Sequence, residues 1–390
     1  MKRNITLLFL YGFLIKRFAF PILTIYYLTH HLSFTQIGLL TSVAFLTSIL
    51  MEIPGGVFAD RHGKKTSLMI GAFMALIYSL LLILGNSFLP YLVASLFYGV
   101  SYSFISGTRE AILYDSLKEE NRENEFRKYT GKIRLYVQSL NALIIIAVPF
   151  FYELDEKLPF QITAGFYLLA IITAMLMKEP AKTKHDQDIA ELHTYQMHFK
   201  KGLQELKMNP YVFASIILSV VLIGFFHILA DYLQPLLQIA EIEIIYFGLF
   251  YTVLRLVQGI SALLVHKIDK LIKLKSYLAL CILLMIAGFL MMALASLHWI
   301  LLGVIIMNIG YWMINVLIKD EVNQNINSEH RTTILSMKSF AGSFFSAFVV
   351  LSFSTYADFA GIQNTLLYAT IILGILGALA FTNLNLWSKS

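Results

Sequence analysis

Residues 34–86 read FTQIGLLTSVAFLTSILMEIPGGVFADRHGKKTSLMIGAFMALIYSLLLILGN, and this stretch decides the fold. Two apolar runs, 34–58 and 67–86, flank a short loop carrying Asp60, Arg61, His62, Lys64 and Lys65. One crossing of a hydrocarbon core takes roughly 17 to 25 mainly apolar residues. Each run is about that long. Further runs lie at 5–28, 90–113, 132–152, 160–177, 210–234, 243–264, 275–295, 299–318, 333–353 and 364–384, giving twelve in all. Connections such as Asn86 to Pro90 are so short that the runs they join must be antiparallel.

Composition agrees. The 390 residues are 58% hydrophobic and only 14% charged, where soluble domains carry about a quarter charged residues. Too little polar surface remains to coat a water-soluble body, so the solvent is lipid. The net charge of +6 could suggest nucleic acid, but the placement of the cations excludes it. Lys2 and Arg3 precede the first run; Arg61, Lys64 and Lys65 follow the second. Lys118, Arg122, Arg127 and Lys128 follow the fourth, and Lys267, Lys270 and Lys273 follow the eighth. Arg331 follows the tenth, and Lys389 ends the chain. The opposite side shows one cation, Lys157, beside Glu153, Asp155 and Glu156. Lysine and arginine collect on the cytoplasmic face, so both termini are expected inside. The start of the chain, with no small-residue cleavage site, reads as an uncleaved first helix. One cysteine, Cys281, allows neither an intramolecular disulfide nor a multi-thiolate metal site, and no metal or cofactor is expected.

The fold class expected is an all-α membrane protein of twelve spanning helices in two pseudo-symmetric six-helix bundles. The polar stretch 178–209 divides it into bundles 1–177 and 210–390. Within that stretch Ile189, Leu192, Phe199, Leu203 and Leu206 recur at helical spacing among charges, which predicts an amphipathic helix on the cytoplasmic interface. The halves also echo each other: Ile37-Gly38-Leu39-Leu40 opens the second run, and Phe247-Gly248-Leu249-Phe250 the eighth. Such internal repeats place a site at the midplane.

The loop after the second run, Gly56-Val57-Phe58-Ala59-Asp60-Arg61-His62-Gly63-Lys64-Lys65, resembles the signature of the major facilitator superfamily, G-x-x-x-D-R-x-G-R/K-R/K. The segment 106–117 resembles that of some bacterial efflux-like members. The resemblance implies that Asp60 reaches the N-terminal end of the eleventh helix, whose dipole favours an anion. Gly55 and Gly56 would allow close backbone approach, and Asp115 stands where it could pair with Arg61. Together Gly56, Asp60, Arg61, Gly63, Lys64, Lys65 and Asp115 would latch the cytoplasmic side. Arg109 and Glu110 join that gate, with Asp320 and Glu321 as counterparts. The eighth helix ends in a degenerate copy, 262–270, and the fifth lacks the glycine-rich pattern of drug–proton antiporters.

A charge at the centre of a spanning helix costs about 2.5–3.5 kcal/mol on insertion scales and calls for a reason. Lys16 and Arg17 lie about 16 Å into the first run at 1.5 Å per residue, and Arg255 is similarly deep in the eighth. Arginine suits carboxylate or phosphate through paired contacts. These three residues therefore either bind an anionic substrate or pair internally, Arg17 with Glu52 for instance. For coupling, His227 and Asp231 share a helix face, and Glu52 is the other titratable candidate. The His30-His31 pair shows no nearby carboxylate, and no catalytic constellation emerges. The reading is a non-enzymatic secondary transporter working by alternating access, proton-coupled, moving a small organic solute that is anionic or amphipathic. A multidrug-type proton antiporter, and a sensor on the same scaffold that binds without flux, are the alternatives. The partners expected are the solute, protons and the lipid bilayer, with no nucleic acid; the protein is expected to be a monomer in a bacterial inner membrane.

Overall fold

The computed structural model describes residues 2–180, 204, 206, 208–268, 274–294, 296–326 and 328–387. The expected amphipathic helix in 178–209 lies almost wholly outside them. Among the described residues the chain is helical without strands. Ten stretches are long and apolar enough to cross a membrane, and two shorter apolar helices precede them, Arg3–Leu14 and Phe20–Thr29.

Those two short pieces are the expected first helix, and the structure corrects its continuity. Helix α1 (Lys2–Leu14) stops, a turn follows, a 3-10 segment spans Phe20–Ile22, and α2 (Leu23–Thr29) resumes. Pro21 sits in the 3-10 segment, where its missing N–H and fixed φ prevent an α-helix from passing straight through. The next helices are α3 (Phe34–His62), α4 (Lys64–Leu84), α5 (Phe88–Ile105), α6 (Thr108–Lys118), α7 (Phe126–Leu154) and α8 (Leu158–Leu176). After the linker come α9 (Pro210–Ile239), α10 (Phe247–Ile268), α11 (Leu274–Ala293), α12 (Leu297–Asn325) and α13 (Ser328–Trp387). At its far end α13 covers two apolar runs of the sequence. Its membrane-length part, Thr333–Leu379, has 47 residues, about 70 Å of helix at 1.5 Å per residue, against roughly 30 Å of hydrocarbon. Gly361, at φ 80° and ψ 162°, breaks the helix inside that length.

The chain forms two compact units. One comprises Met1–Leu32, Val43–Glu191 and Ile245–Leu249; the other Ser33–Ser42, Leu192–Ile244 and Phe250–Ser390. In the first, α4 packs on α5 and α8, and α1 on α7 and α8. Its core gathers Leu8, Tyr11 and Leu14 of α1 with Leu68, Ala72, Ile112 and Ala170. Tyr11 donates its buried hydroxyl to the carbonyl of Leu68 at 2.8 Å. In the second, α9 packs on α13 and α12, and α11 on α12 and α13. Cys281 is buried in α11 as a free thiol.

Helix α3 opens in the second unit. There the Asp358 carboxylate of α13 accepts hydrogen bonds from the N–H groups of Phe34 at 2.8 Å and Thr35 at 2.7 Å. These are orphan donors of a helix start, and a carboxylate also suits the positive end of the dipole. Ser42 donates to the carbonyl of Ala347 at 2.7 Å. A Cβ on Gly38 would stand 2.5 Å from the Ser354 Cβ. Residues 245–249, at the start of α10, belong conversely to the first unit, where a Cβ on Gly248 would collide with the backbone of Ile145 and Ile146 in α7. The sequence echo thus marks two places where only glycine fits.

Overpacking a tight contact costs about 1–3 kcal/mol. Gly248→Leu is expected to lower the unfolding midpoint of the purified protein accordingly, while Gly165→Leu, whose surroundings are open, leaves it unchanged or raised. Equal midpoints for the two variants would contradict the close approach.

Candidate functional site

The break in the first helix falls at Lys16 and Arg17. The Arg17 guanidinium lies 4.6 Å from the Phe20 ring centroid and 4.5 Å from that of Tyr98. Tyr27, Tyr78 and Tyr167 are its further phenolic neighbours, and the Tyr78 and Tyr98 rings are 5.2 Å apart. A cation over aromatic faces gains about 2 kcal/mol where water is excluded. Among the described residues no carboxylate forms an ion pair with Arg17, so the pairing with Glu52 is absent; Glu52 is exposed on α3. The cation is therefore held by ring faces, which stabilise it without neutralising it. Lys16 is half-buried beside it in the chain. Arg255 belongs to the other unit and is exposed on α10.

His227 and Asp231 lie on α9, each bonded to a different helix. The His227 Nδ1 is 2.8 Å from the Ser346 hydroxyl of α13. Asp231, only 8% exposed, accepts a hydrogen bond at 3.1 Å from the hydroxyl of Thr41 in the first turns of α3. One turn on, Gln234 is fully buried and donates to the Tyr251 hydroxyl at 3.2 Å. His227 and Asp231 thus lie, with Gln234, along one helix, while Glu52 is on α3. His30 departs from expectation, since its Nε2 is 3.7 Å from the Glu156 carboxylate, which the chain brings in from 126 residues away.

At the signature loop the partners differ from those expected. Asp115 pairs with Lys64, Nζ to carboxylate 2.5 Å, with side chains 21% and 16% exposed. Lys64 stands at the start of α4, while Arg61 lies in the last turn of α3. Gly63 turns the chain between α3 and α4 at φ 101°. The two N–H groups that this turn exposes, on Lys64 and Lys65, donate to Glu179 at 2.6 and 2.8 Å. Lys178 is held in turn by Asn4, which accepts from its N–H and donates to its carbonyl, both at 2.9 Å. Asn4 also donates to Ser116 at 3.2 Å. Gly56, by contrast, has nothing within 4 Å of a Cβ position, and Gly55 alone lies near α5. Asp60 is half-buried and Arg61 exposed. The side chains of Asp320 and Glu321 lie outside the described residues.

Sequence reasoning missed Glu179, Asn4, Asp358 and the tyrosines around Arg17. Glu179 and Asp358 sit at ends of apolar runs, where a carboxylate reads as a solvated flank. The tyrosines look like packing because their common target is visible only after folding. Lys338, 8% exposed within α13, was missed for the same reason as the carboxylates.

The ten membrane-length apolar stretches and the charged loop between α3 and α4 are what the chain offers for comparison with known proteins. The family model described as the Major Facilitator Superfamily matches residues 5–350, and the chain belongs to that family. Its members are transporters rather than enzymes. An uncharacterized MFS-type transporter of Bacillus subtilis, YxaM, is 28% identical over 233 residues, 56% of this chain and 54% of that protein. Multidrug resistance protein 1 of Bacillus subtilis is 26% identical over 161 residues, 41% of this chain and 40% of its own length. The matched part thus spans about half the length of these relatives or less. A mutant of the nucleoside transporter NupG superposes with a TM-score of 0.83 over 98% of each chain at 14% identity, which is a likeness of fold.

The half-buried Lys64–Asp115 pair is shielded more than a surface pair, whose typical value is up to about 1 kcal/mol. A double-mutant cycle with Lys64→Met and Asp115→Asn is expected to give a coupling of about 1 kcal/mol or more in reversible unfolding. Additive single effects would show the two charges to be solvated independently.

Proposed function

We propose that the chain is a secondary transporter that works by alternating access and moves a small organic anion, with proton coupling. The observation that carries this reading is the Arg17 guanidinium, set at a break between α1 and α2, ringed by aromatic faces and, among the described residues, without a carboxylate partner. Discontinuous helices are where transporters of several folds bind their cargo. A cation kept in place by rings retains its charge for a carboxylate or phosphate. Arg255 is the second cation of the proposal and Lys16 an assisting one. Twelve crossings follow if α1 and α2 together make one and α13 makes two at Gly361. Both termini then lie in the cytoplasm of a bacterial cell, with the bundles 1–177 and 210–390 joined by 178–209. Gly56, Asp60, Arg61, Gly63, Lys64, Lys65 and Asp115 form the cytoplasmic latch in this reading.

Asp231 is the favoured proton carrier. Its carboxylate is buried, takes a hydroxyl donor from α3 and neighbours His227 on the same face. A proton on Asp231 would remove charge from this face and alter that bond, whereas Glu52 is exposed on the surface of α3. A second reading, export of amphipathic compounds, is favoured by the likeness to Multidrug resistance protein 1 and by the aromatic lining around Arg17.

The test is a screen of anionic and cationic solutes for thermal stabilisation of the purified protein, followed by flux in liposomes. Organic anions are expected to stabilise wild type, and Arg17→Gln to weaken that binding about tenfold or more, the worth of one charge-assisted bond. Stabilisation by hydrophobic cations alone would overturn the anion reading in favour of the exporter. Binding without flux under any gradient would make the protein a sensor.

Proton coupling is checked separately. A pH gradient across the liposome should drive accumulation in wild type and Glu52→Gln but not in Asp231→Asn, which should retain exchange down a solute gradient. Accumulation unaffected by the gradient in wild type would remove the proton from the mechanism.

A further inference from the structure

A second cationic place lies within the first unit, away from the rings around Arg17. Leu8 of α1, Arg109, Glu110 and Leu113 of α6, and Thr130, Ile133 and Arg134 of α7 line a half-open cleft. Leu8 and Leu113 are nearly fully buried, at 1% and 3% exposure, so the floor is apolar and the local dielectric low. The Arg109 guanidinium lies over Gly12, its Nη1 3.2 Å from where a Cβ would be; a larger residue there would displace it. No carboxylate forms an ion pair with Arg109 among the described residues. Arg134 reaches Glu110 at 3.7 Å, with side chains 71% and 55% exposed. That separation exceeds the 2.7–2.9 Å of a charge-assisted hydrogen bond, and an exposed pair of this kind is weak. Two guanidiniums against one carboxylate leave one net positive charge.

Thr130 is the independent observation. Several threonines inside the helices of this chain return their hydroxyls to the carbonyl four residues back, as Thr163 does at 2.7 Å, Thr173 at 2.7 Å and Thr365 at 2.8 Å, and Thr41 gives its own to Asp231. The Thr130 hydroxyl does neither. It is buried without any hydrogen-bond partner, and it lines the cleft with the two arginines. A buried polar group left unmatched in a native fold needs an explanation, and an ion is the one that also meets the two guanidiniums beside it.

We propose that Arg109, Arg134 and the Thr130 hydroxyl form an oxyanion-binding site for a phosphate group, distinct from the Arg17 site. Two planar forks and one hydroxyl donor match the several acceptor oxygens of a tetrahedral phosphate. Glu110 competes for Arg134 and limits affinity, so an arriving phosphate displaces its contact. The phosphate can belong to a free solute or to the headgroup of an anionic lipid, since basic pockets between spanning helices hold such headgroups.

The full chain in phosphatidylcholine nanodiscs at low salt is titrated with inorganic phosphate, binding being read by calorimetry and by the unfolding midpoint. A second set of discs contains phosphatidylglycerol and no phosphate. Saturable binding of phosphate, weakened about tenfold or more by Arg134→Gln and by Thr130→Val and tightened by Glu110→Gln, is the expected result. Stabilisation by phosphatidylglycerol with the same order of variants, and none by free phosphate, supports the site with lipid as its source. Binding by neither overturns the proposal, as does binding that Arg134→Gln and Thr130→Val leave unchanged. Arg17→Gln separates this site from the transport reading: it should keep the phosphate signal. Loss in Arg17→Gln with retention in Arg134→Gln would assign the phosphate to the ring cage and sink the proposal.

Discussion

Hydrocarbon offers no hydrogen bonds, so every backbone group released at a helix end or break must be met by protein or carried to water. The architecture of this chain follows from how it meets that requirement. Asp358 satisfies the first N–H groups of α3, and Glu179 those of α4. Each carboxylate comes from an element remote in sequence, 324 and 115 residues away respectively. Local satisfaction of a helix start therefore fixes a long-range contact. At the start of α3 the Ser33 hydroxyl accepts from the Gln36 N–H at 3.2 Å and leaves those of Phe34 and Thr35 to the distant carboxylate, while Gly63 before α4 has no side chain to cap with. Helix ends here act as the joints of the molecule.

The same constraint explains which parts of the fold were legible in the sequence. Apolar length alone reveals a spanning helix, because nothing else needs twenty apolar residues in succession. Runs 34–58 and 67–86 became α3 and α4 with only their ends extended. The first run was misread because hydropathy does not register a broken ladder; Pro21 and the charges at 16 and 17 were the available signals. Gly38 and Gly248 were visible as an echo, but their reason, a neighbouring backbone too close for a Cβ, appears only with the partners Ser354 and Ile145 in place. Charged partners were the least legible. In sequence Arg61 and Lys64 are three residues apart and equally plausible partners for Asp115; that one ends α3 and the other begins α4 is visible only in the fold.

The caged arginine shows why burial of a charge need not mean pairing. A carboxylate beside Arg17 would cancel its field, whereas ring quadrupoles stabilise the cation and leave its donors available. Membership of the Major Facilitator Superfamily gives this arrangement a setting, since those proteins are transporters. Identity with the relatives is low and partial, so the cargo has to be argued from the residues themselves. Around Arg17 those residues are phenols and a phenylalanine, a lining that accepts organic carbon as readily as charge.

Glu179 lies three residues after the end of α8, and its carboxylate is part of the framework of α4. A division of the polypeptide into two separately made halves therefore has to keep residues 178–180 with the first. A cut between Met177 and Lys178 would leave the N–H groups of Lys64 and Lys65 without their acceptor and Asn4 without its backbone partner. For the first half as an independent folding unit, three residues of apparent linker count as framework.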